Sequence, residues 1–308
     1  MSVTPNPAQS HGQSITSRPE FHGYTDIVDY ILGITFEIWE QRQVETILDY
    51  YGEHIAVFSM ESITHGAARM VEQTHATLDA YPDRLLLAED VVWSGNLARG
   101  FSSHRLTSPM TNLGDTLFGP ATGRKIRIMN VADCEITDGQ ITREWLVRDN
   151  LALATQLGAD PADTVKRIAG RFDDTLVNWL RGEFSRTRES ETGTRPAIGE
   201  TTPDPHYDFA QSVLENCWVR GNETQMARDY APYAFMQRAP IRIFSGHEEL
   251  FAHFADWRRA IPDARLSVDH LCSQASGLNS YSVAARWSVA GSLEGAVSGF
   301  EGNGQPVY

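Results

Sequence analysis

Apolar residues in the first part of the chain recur at the spacing of a helix. Between Asp26 and about Tyr51 this pattern predicts one long helix, either continuous or broken. The apolar residues that define it are Ile27, Tyr30, Ile31, Ile34, Ile38, Ile47 and Leu48. A second helix is predicted from Gly66 to Ala80, because the turn-forming sequence YPD follows it.

The next part of the chain has the composition and spacing of strands. Four stretches show this pattern, and they read RLLLAEDVVWSG, LARGFSSHRLTS, KIRIMNVADCEIT and QITREWLVRD. Helices followed by consecutive strands favour an α+β fold, with the helices on one face of an antiparallel sheet.

The chain then repeats itself. The same spacing separates Gly66 from Pro82 and Gly246 from Pro262, and the sequence around Gly123 aligns with that around Gly304. In this alignment Tyr308 falls opposite Arg127, so nothing in the second copy corresponds to residues 128–158. Either the chain is a shortened version of a longer protein, which we favour, or the second sheet has an open edge that something else covers.

These patterns divide the chain into four parts. Residues 1–24, with scattered Pro, Ser and Gly, are predicted to be a disordered tail, and residues 25–158 form the first domain. Residues 159–205 contain an amphipathic helix followed by a flexible linker rich in Pro, Gly, Thr and Glu. Residues 206–308 form a second, C-terminally incomplete domain.

Charge and composition limit the classes of molecule that the protein is expected to bind. The chain of 308 residues has 40 acidic and 26 basic residues, and its net charge is -14. This charge disfavours binding to nucleic acids and to anionic membranes. No segment has the length of a signal peptide core or a membrane span. Three widely spaced cysteines and ten histidines without ligand spacing predict neither a disulfide framework nor a metal site. A cytoplasmic protein fits these features.

The end of the first copy carries a motif. Asp138, Gly139 and Ile141 precede Trp145 and Asp149, and the stretch closes on Gln156, Leu157 and Gly158. Together with the order of helices and strands, this sequence resembles the SnoaL-like polyketide cyclase family, whose members share the fold of nuclear transport factor 2. The resemblance covers about 25–158 well and 206–308 moderately. It implies two tandem cone-shaped domains, each with helices packed on a strongly bent antiparallel sheet that encloses a pocket.

The resemblance also implies chemistry for Asp149. In the best-known members an aspartate at this place acts as general acid and base in an aldol ring closure without metal or cofactor. Strand alternation puts Arg143, Trp145, Val147 and Asp149 on one face, which we expect to line the cone, where burial would raise the pKa of the carboxyl. The alternative is that Asp149 caps the helix that follows it.

Further site residues are predicted on weaker grounds. The resemblance implies that His104 could polarise a substrate oxygen, and the alternative is a surface or partnered histidine. It also implies that Glu135 could supply a second polar group, although a salt bridge from Glu135 to Arg143 or Arg127 is the competing interpretation. Five other residues could contact a ligand, with core packing, solvation or ion pairing as the alternative for each. They are Trp39, Trp93, Trp145, Arg105 and His54.

Two functions follow from these features. The first is a cofactor-independent cyclase, isomerase or hydrolase that acts on a small apolar carbonyl compound, with Asp149 as acid and base and His104 or Glu135 assisting. The second is a non-catalytic module for ligand binding or protein assembly, favoured by the absence of an Asp149 equivalent in the second copy. The two copies are expected to pair within one chain or to form a homodimer.

Overall fold

A computed structural model describes residues 22–189, 204–297 and 299–308. Most of the predicted tail, and residues 190–203 of the predicted linker, lie outside the described residues. Within the described part of the chain, no helix is long and apolar enough to cross a membrane.

The first domain begins with helices. Helix α1 (Ile27–Trp39) starts where Asp26 accepts a hydrogen bond from the backbone N–H of Asp29 at 2.8 Å. Its apolar face is buried as the periodicity predicts. The predicted long helix is broken, because Arg42 has a φ of +62° that no right-handed helix can contain. A 3-10 turn (Val44–Thr46) and the short helix α2 (Ile47–Tyr50) follow.

Six strands form the first sheet, and α3 (Ala67–Ala80) packs beside it, as the sequence predicts. The strands are β1 (Tyr51–Phe58), β2 (Ile63–His65), β3 (Leu87–Gly95), β4 (Arg99–Thr111), β5 (Lys125–Thr137) and β6 (Gln140–Arg148). Their order is β2-β1-β6-β5-β4-β3. The four predicted strands are confirmed, whereas β1 and β2 are additional, and β1 runs parallel to β6 rather than antiparallel.

A bulge in β6 decides which side chains face the cone. Ile141 pairs with Ile136 and Arg143 pairs with Glu135, so Thr142 has no partner on β5. One extra residue reverses the alternation of the strand. Glu144, like Ile141, therefore faces the interior, and Arg143 faces out.

The second domain has the helices α7 (Tyr207–Leu214), α8 (Glu223–Asp229) and α9 (Gly246–Ala260), with a π-helical turn (Glu215–Arg220) after α7. Its strands are β7 (Phe235–Arg238), β8 (Arg242–Ser245), β9 (Arg265–Gly277), β10 (Ser280–Leu293) and β11 (Gln305–Val307). They form a three-stranded sheet, β11-β10-β9, and a separate hairpin, β7-β8.

The repeat seen in the sequence is also present in the backbone. The N–H of Gly114 donates to the carbonyl of Ala80 at 3.1 Å, and the N–H of Gly295 donates to that of Ala260 at 3.2 Å. Both glycines lie so close to the end of a helix that an added Cβ would meet backbone atoms at 2.8 Å. Each copy therefore joins its long helix to its sheet in the same way.

Helices α4 (Asn150–Leu157), α5 (Pro161–Ala169) and α6 (Asp174–Glu189) connect the two domains. The predicted single helix after residue 159 is thus two helices. Helix α6 packs against β9 and β10, and Arg188 Nη1 lies 3.0 Å from Asp263 Oδ2. The connecting segment therefore contributes a helix to the packing of the second domain.

Candidate functional site

A small cavity of about 110 Å³ lies inside the cone of the first domain. Helices α1 and α3 and strands β4, β5 and β6 enclose it, and most of its lining is apolar. Five polar or charged side chains interrupt that lining near the sheet. They are Arg84, His104, Asn130, Glu144 and Arg148.

Three neighbouring strands carry four of these groups, and Arg84 lies in the loop before β3. His104 pairs with Ala132 across β4 and β5, and Asn130 pairs with Arg148 across β5 and β6. Cross-strand partners point to the same side of a sheet. Because Asn130 and Ala132 alternate on the inward face of β5, their two partners also face the cone. Glu144 joins this face because of the bulge at Thr142.

Several buried polar atoms of this cluster have no hydrogen-bond partner among the described residues. They are Nε2 of His104, Nδ2 and Oδ1 of Asn130, Oε2 of Glu144 and Nε of Arg148. Each unmet buried group costs about 1 to 3 kcal/mol. Such groups are rare in native proteins, and here they line one cavity. A polar compound in the cavity would satisfy them.

Burial sets the protonation of Glu144. Burial raises the pKa of this carboxyl from its ordinary 4.5 to about 7, although the neighbouring Arg148 and a hydrogen bond with Tyr51 act in the opposite direction. Only 5% of Glu144 is exposed. The carboxyl is thus near the midpoint of its titration at neutral pH, as an acid–base group requires.

The nitrogen groups differ in charge. Burial lowers the pKa of His104 to about 4, so its imidazole is neutral at pH 7. Burial and the nearby Arg148 lower the pKa of Arg84 to about 9, and this guanidinium packs 4.8 Å from the centre of the Trp39 ring. Arg148 donates from Nη1 to Oε1 of Glu61 at 2.8 Å.

Of the residues predicted from the sequence, His104 and Trp39 line this cavity, whereas Asp149 does not. The Asp149 carboxylate accepts the N–H of Ala152 at 2.9 Å and so caps α4. Its second oxygen accepts the N–H of Ile241 in the second domain at 3.0 Å. The expectation that Asp149 and Trp145 share a face lining the cone is corrected by the bulge at Thr142.

Trp145 instead lies on the outer face of the sheet. Its ring stacks on Phe58 at 5.4 Å, and the guanidinium of Arg286 lies 3.5 Å from its centre. Arg143, Trp145 and Val147 line a second cavity of about 1040 Å³ between the domains.

The remaining predicted residues have structural surroundings. Glu135 forms an ion pair with Arg143 at 2.5 Å, which is the competing interpretation of its role. Arg105 pairs with Glu89 at 3.0 Å. His54 is exposed, and Trp93 packs against the core of the first domain.

Sequence reasoning missed Glu144, Asn130, Arg84 and Arg148. For Asn130 a signal existed, because it is the single polar residue in an inward row that is otherwise Ile126, Ile128, Ala132, Cys134 and Ile136. For Glu144 and Arg148 the period of two alone would have assigned the wrong face. No group of His, Cys, Asp or Glu side chains placed to hold a metal ion occurs in the described ranges.

Comparison with known proteins identifies the family. The model of the SnoaL-like polyketide cyclases matches residues 31–157 and 206–308. The chain therefore belongs to the SnoaL-like polyketide cyclase family, in two tandem copies, and has the α+β cone fold of that family. This membership supports a function of the cyclase or isomerase type. No curated protein matches the chain.

Several solved structures are similar to part of this chain. TsrD from Streptomyces laurentii is 19% identical, covers 47% of this chain and all of its own (100%), and has a TM-score of 0.40. A SnoaL-like polyketide cyclase from Agrobacterium tumefaciens is 19% identical, with 42% and 97% coverage and a TM-score of 0.37. AclR from Streptomyces galilaeus is 21% identical, with 43% and 84% coverage and a TM-score of 0.38.

Proposed function

We propose that the first domain is an acid–base enzyme for a small carbonyl compound, with Glu144 as the group that takes and returns a proton. The observation that carries this proposal is a set of buried atoms in one largely apolar cavity that have no hydrogen-bond partner in the part of the chain that the structure describes. They belong to His104, Asn130, Glu144 and Arg148. A compound that combined an apolar body with a carbonyl oxygen would match both parts of the lining.

The proposed reaction starts at the carbon next to the carbonyl. The ionised Glu144 carboxylate removes a proton from this carbon, and negative charge develops on the carbonyl oxygen. Asn130 and Arg148 can donate hydrogen bonds to that oxygen from Nδ2 and Nε, which are otherwise unpartnered among the described residues. The protonated Glu144 then returns the proton to a carbon of the enolate, which restores the carbonyl group and completes an exchange or an isomerisation.

His104 has a different role in this proposal. Because its pKa is lowered to about 4, the imidazole is neutral at pH 7, and it can donate or accept one hydrogen bond without adding charge. It would orient the substrate rather than stabilise an anion electrostatically.

The cavity volume limits the substrate. A cavity of 150 Å³ holds a benzene molecule, so about 110 Å³ admits a compound no larger than a small ring. Proton transfer within such a compound, as in an isomerisation, needs less space than closure of several rings. The isomerase type of reaction is therefore favoured within the family.

Hydrogen–deuterium exchange of cyclopentanone in D₂O, followed by proton NMR, tests this proposal. We expect the full chain to accelerate exchange at the carbons next to the carbonyl. Glu144→Gln should reduce the acceleration by at least about 100-fold, since general bases contribute this much or more. Glu135→Gln, which changes an outward carboxylate on the adjacent strand, is the matched control and should retain the wild-type rate.

The alternative, a binding module without catalysis, predicts another result. The small volume of the cavity is the observation that favours it. In that case saturation-transfer NMR would detect bound cyclopentanone, while exchange would stay at the background rate in both the wild type and Glu144→Gln. That outcome would reject the enzyme proposal.

A further inference from the structure

The cavity of about 1040 Å³ between the domains, the interdomain cavity, lies across the first sheet from the small cone cavity of the proposed reaction. Strands β1 and β6 form one wall, helix α6 forms the second, and strands β9 and β10 form the third. Its volume is close to the upper limit of ordinary ligand sites, about 300 to 1000 Å³. The interdomain cavity therefore has room for a compound that the cone cavity cannot hold.

Aromatic side chains from both domains and from the connecting segment line the interdomain cavity. They are Phe58, Trp145, Phe172, Trp179, Trp287 and Tyr308. The ring of Phe58 stacks on that of Trp145 at 5.4 Å and on that of Trp179 at 5.2 Å, with interplanar angles of 17° and 28°. A series of near-parallel rings thus runs from the first sheet to α6.

The two ends of this series differ. The Trp145 ring is covered by Phe58 and by the guanidinium of Arg286, which lies 3.5 Å from its centre. Trp179 is only partly buried and borders the cavity, and the ring of Tyr308 meets it edge-on at 6.3 Å. Aromatic rings attract one another in offset-stacked and edge-to-face arrangements. A planar compound can therefore continue the series at Trp179, beside Tyr308.

The arginines of the lining already contact carboxylates. The pairs are Arg143 with Glu135 at 2.5 Å, Arg286 with Asp133 at 2.5 Å and Arg186 with Asp269 at 2.9 Å. The described lining holds these three arginines and three acidic residues, Glu183, Glu189 and Asp269. Its formal charges therefore cancel, and the lining favours neither an anion nor a cation.

Hydrogen bonds among the polar groups of the lining support the same conclusion. The Asp269 carboxylate accepts from the hydroxyls of Ser267 at 2.9 Å and Ser288 at 2.5 Å. The Tyr308 hydroxyl donates to Glu183 at 3.1 Å. These polar side chains bind one another, so the ring surfaces are the part of the lining that is suited to recognise a ligand.

We infer that the interdomain cavity binds a neutral, planar compound of two or more fused rings, stacked on Trp179 beside Tyr308. Burying an unpaired charge is costly, and the lining offers no net charge to offset that cost. The net charge of -14 of the chain further opposes the approach of anions. Binding here is independent of the reaction proposed for the cone cavity.

Isothermal titration of the full chain with coumarin, a neutral planar compound of two fused rings, tests the inference. A cavity of about 150 Å³ holds a benzene molecule, so the cone cavity, of about 110 Å³, is too small for coumarin. We expect saturable binding at one site. The anion 2-naphthoate and the cation N-methylquinolinium, titrated separately, should bind at least about tenfold more weakly, since each brings a charge without a partner.

Variants locate the bound compound. Trp179→Leu should weaken coumarin binding at least about fivefold through the lost stacking surface, and Tyr308→Leu should weaken it at least about twofold. Tyr308 is 42% exposed, so Tyr308→Leu is expected to fold even if Trp179→Leu does not. Tyr233→Leu is the matched control, because Tyr233 is an exposed tyrosine of the second domain outside this cavity, and it should leave the affinity unchanged.

Three results would overturn the inference. The first is the absence of saturable heat when coumarin is added to the wild type. The second is a folded Trp179→Leu or Tyr308→Leu variant that binds coumarin as tightly as the wild type does. The third is a charged analogue that binds as tightly as coumarin, which would reject the assignment to a neutral compound. None of these results depends on proton exchange in the cone cavity.

Discussion

The carboxylate of Asp149 binds a backbone N–H in each domain. Its Oδ1 accepts from Ala152 at 2.9 Å, at the start of α4, and its Oδ2 accepts from Ile241 at 3.0 Å, in the turn of the second-domain hairpin. Asp149 is 7% exposed. A residue that the motif suggests for catalysis is therefore placed to hold a helix and an interface between domains.

Replacing Asp149 by Ala removes both hydrogen bonds. We expect the free energy of unfolding to fall by about 2 kcal/mol, about half from the lost cap and half from the lost contact with Ile241. Urea denaturation measures the change. Asp160→Ala is the matched control, since Asp160 caps α5 through the N–H of Asp163, and it should cost only about 1 kcal/mol.

The Asn variant separates this role from catalysis. Asp149→Asn should retain the exchange activity proposed for Glu144, because Asp149 does not line the cone cavity. If Asp149→Asn lost that activity while its stability was unchanged, the assignment of proton transfer to Glu144 would be wrong.

The raised pKa of Glu144 makes stability depend on pH. Between pH 4.5 and about 7 the unfolded chain releases the Glu144 proton, whereas the folded chain keeps it. The unfolded state then binds fewer protons, so this residue lowers stability as pH rises, by about 3 kcal/mol over the window. Glu144→Gln abolishes the effect. Urea denaturation at pH 4.5 and 7.5 should show the variant gaining on the wild type by that amount.

Glu135→Gln provides the comparison for this pH effect, because its carboxylate is ion-paired on the outer face of the sheet. A stability difference between Glu144→Gln and the wild type that is the same at both pH values would contradict the burial of an ionisable Glu144.

His104 gives the opposite dependence. Its pKa is lowered from 6.5 to about 4 by burial, so between these values the unfolded chain binds a proton that the folded chain does not. Stability is therefore lost as pH falls from 6.5 towards 4, by about 3 kcal/mol. His104→Gln should remove this loss, as measured by thermal unfolding at pH 4.5 and 7. His54→Gln, at an exposed position, should behave like the wild type.

The local sequence pattern predicts most helices and strands, but it does not always predict which side of a strand faces the interior. The helix ending at Ala80 and the four strands from residue 87 onward follow from periodicity and turn residues, because these signals are local. The strand β1 was missed, since its pairing with β6 joins residues about ninety positions apart.

Predicting the site from the sequence requires knowing which side chains of each strand face the cone. Asn130 could be recognised as a polar residue in an apolar row, and His104 lies where alternation along β4 puts it. Glu144 could not be placed, because Thr142 carries no glycine or proline signal for a bulge. Because Thr142 is unpaired, the side chains after it change faces. The period of two therefore predicts that Trp145 faces the cone, whereas Glu144 does.

Asp133 joins the two domains through a buried ion pair. Its carboxylate lies 2.5 Å from Arg286 Nη1 and 3.0 Å from His270 Nδ1, and all three groups are largely buried. Asp133→Asn would leave the guanidinium without its nearest anion, which costs about 3 kcal/mol in buried sites. Urea denaturation should show this loss, whereas Glu135→Gln, two residues along the same strand in a more exposed pair, should lose less than about 1 kcal/mol. Equal losses in the two variants would mean that the Asp133 pair stabilises the domain interface no more than a surface salt bridge does.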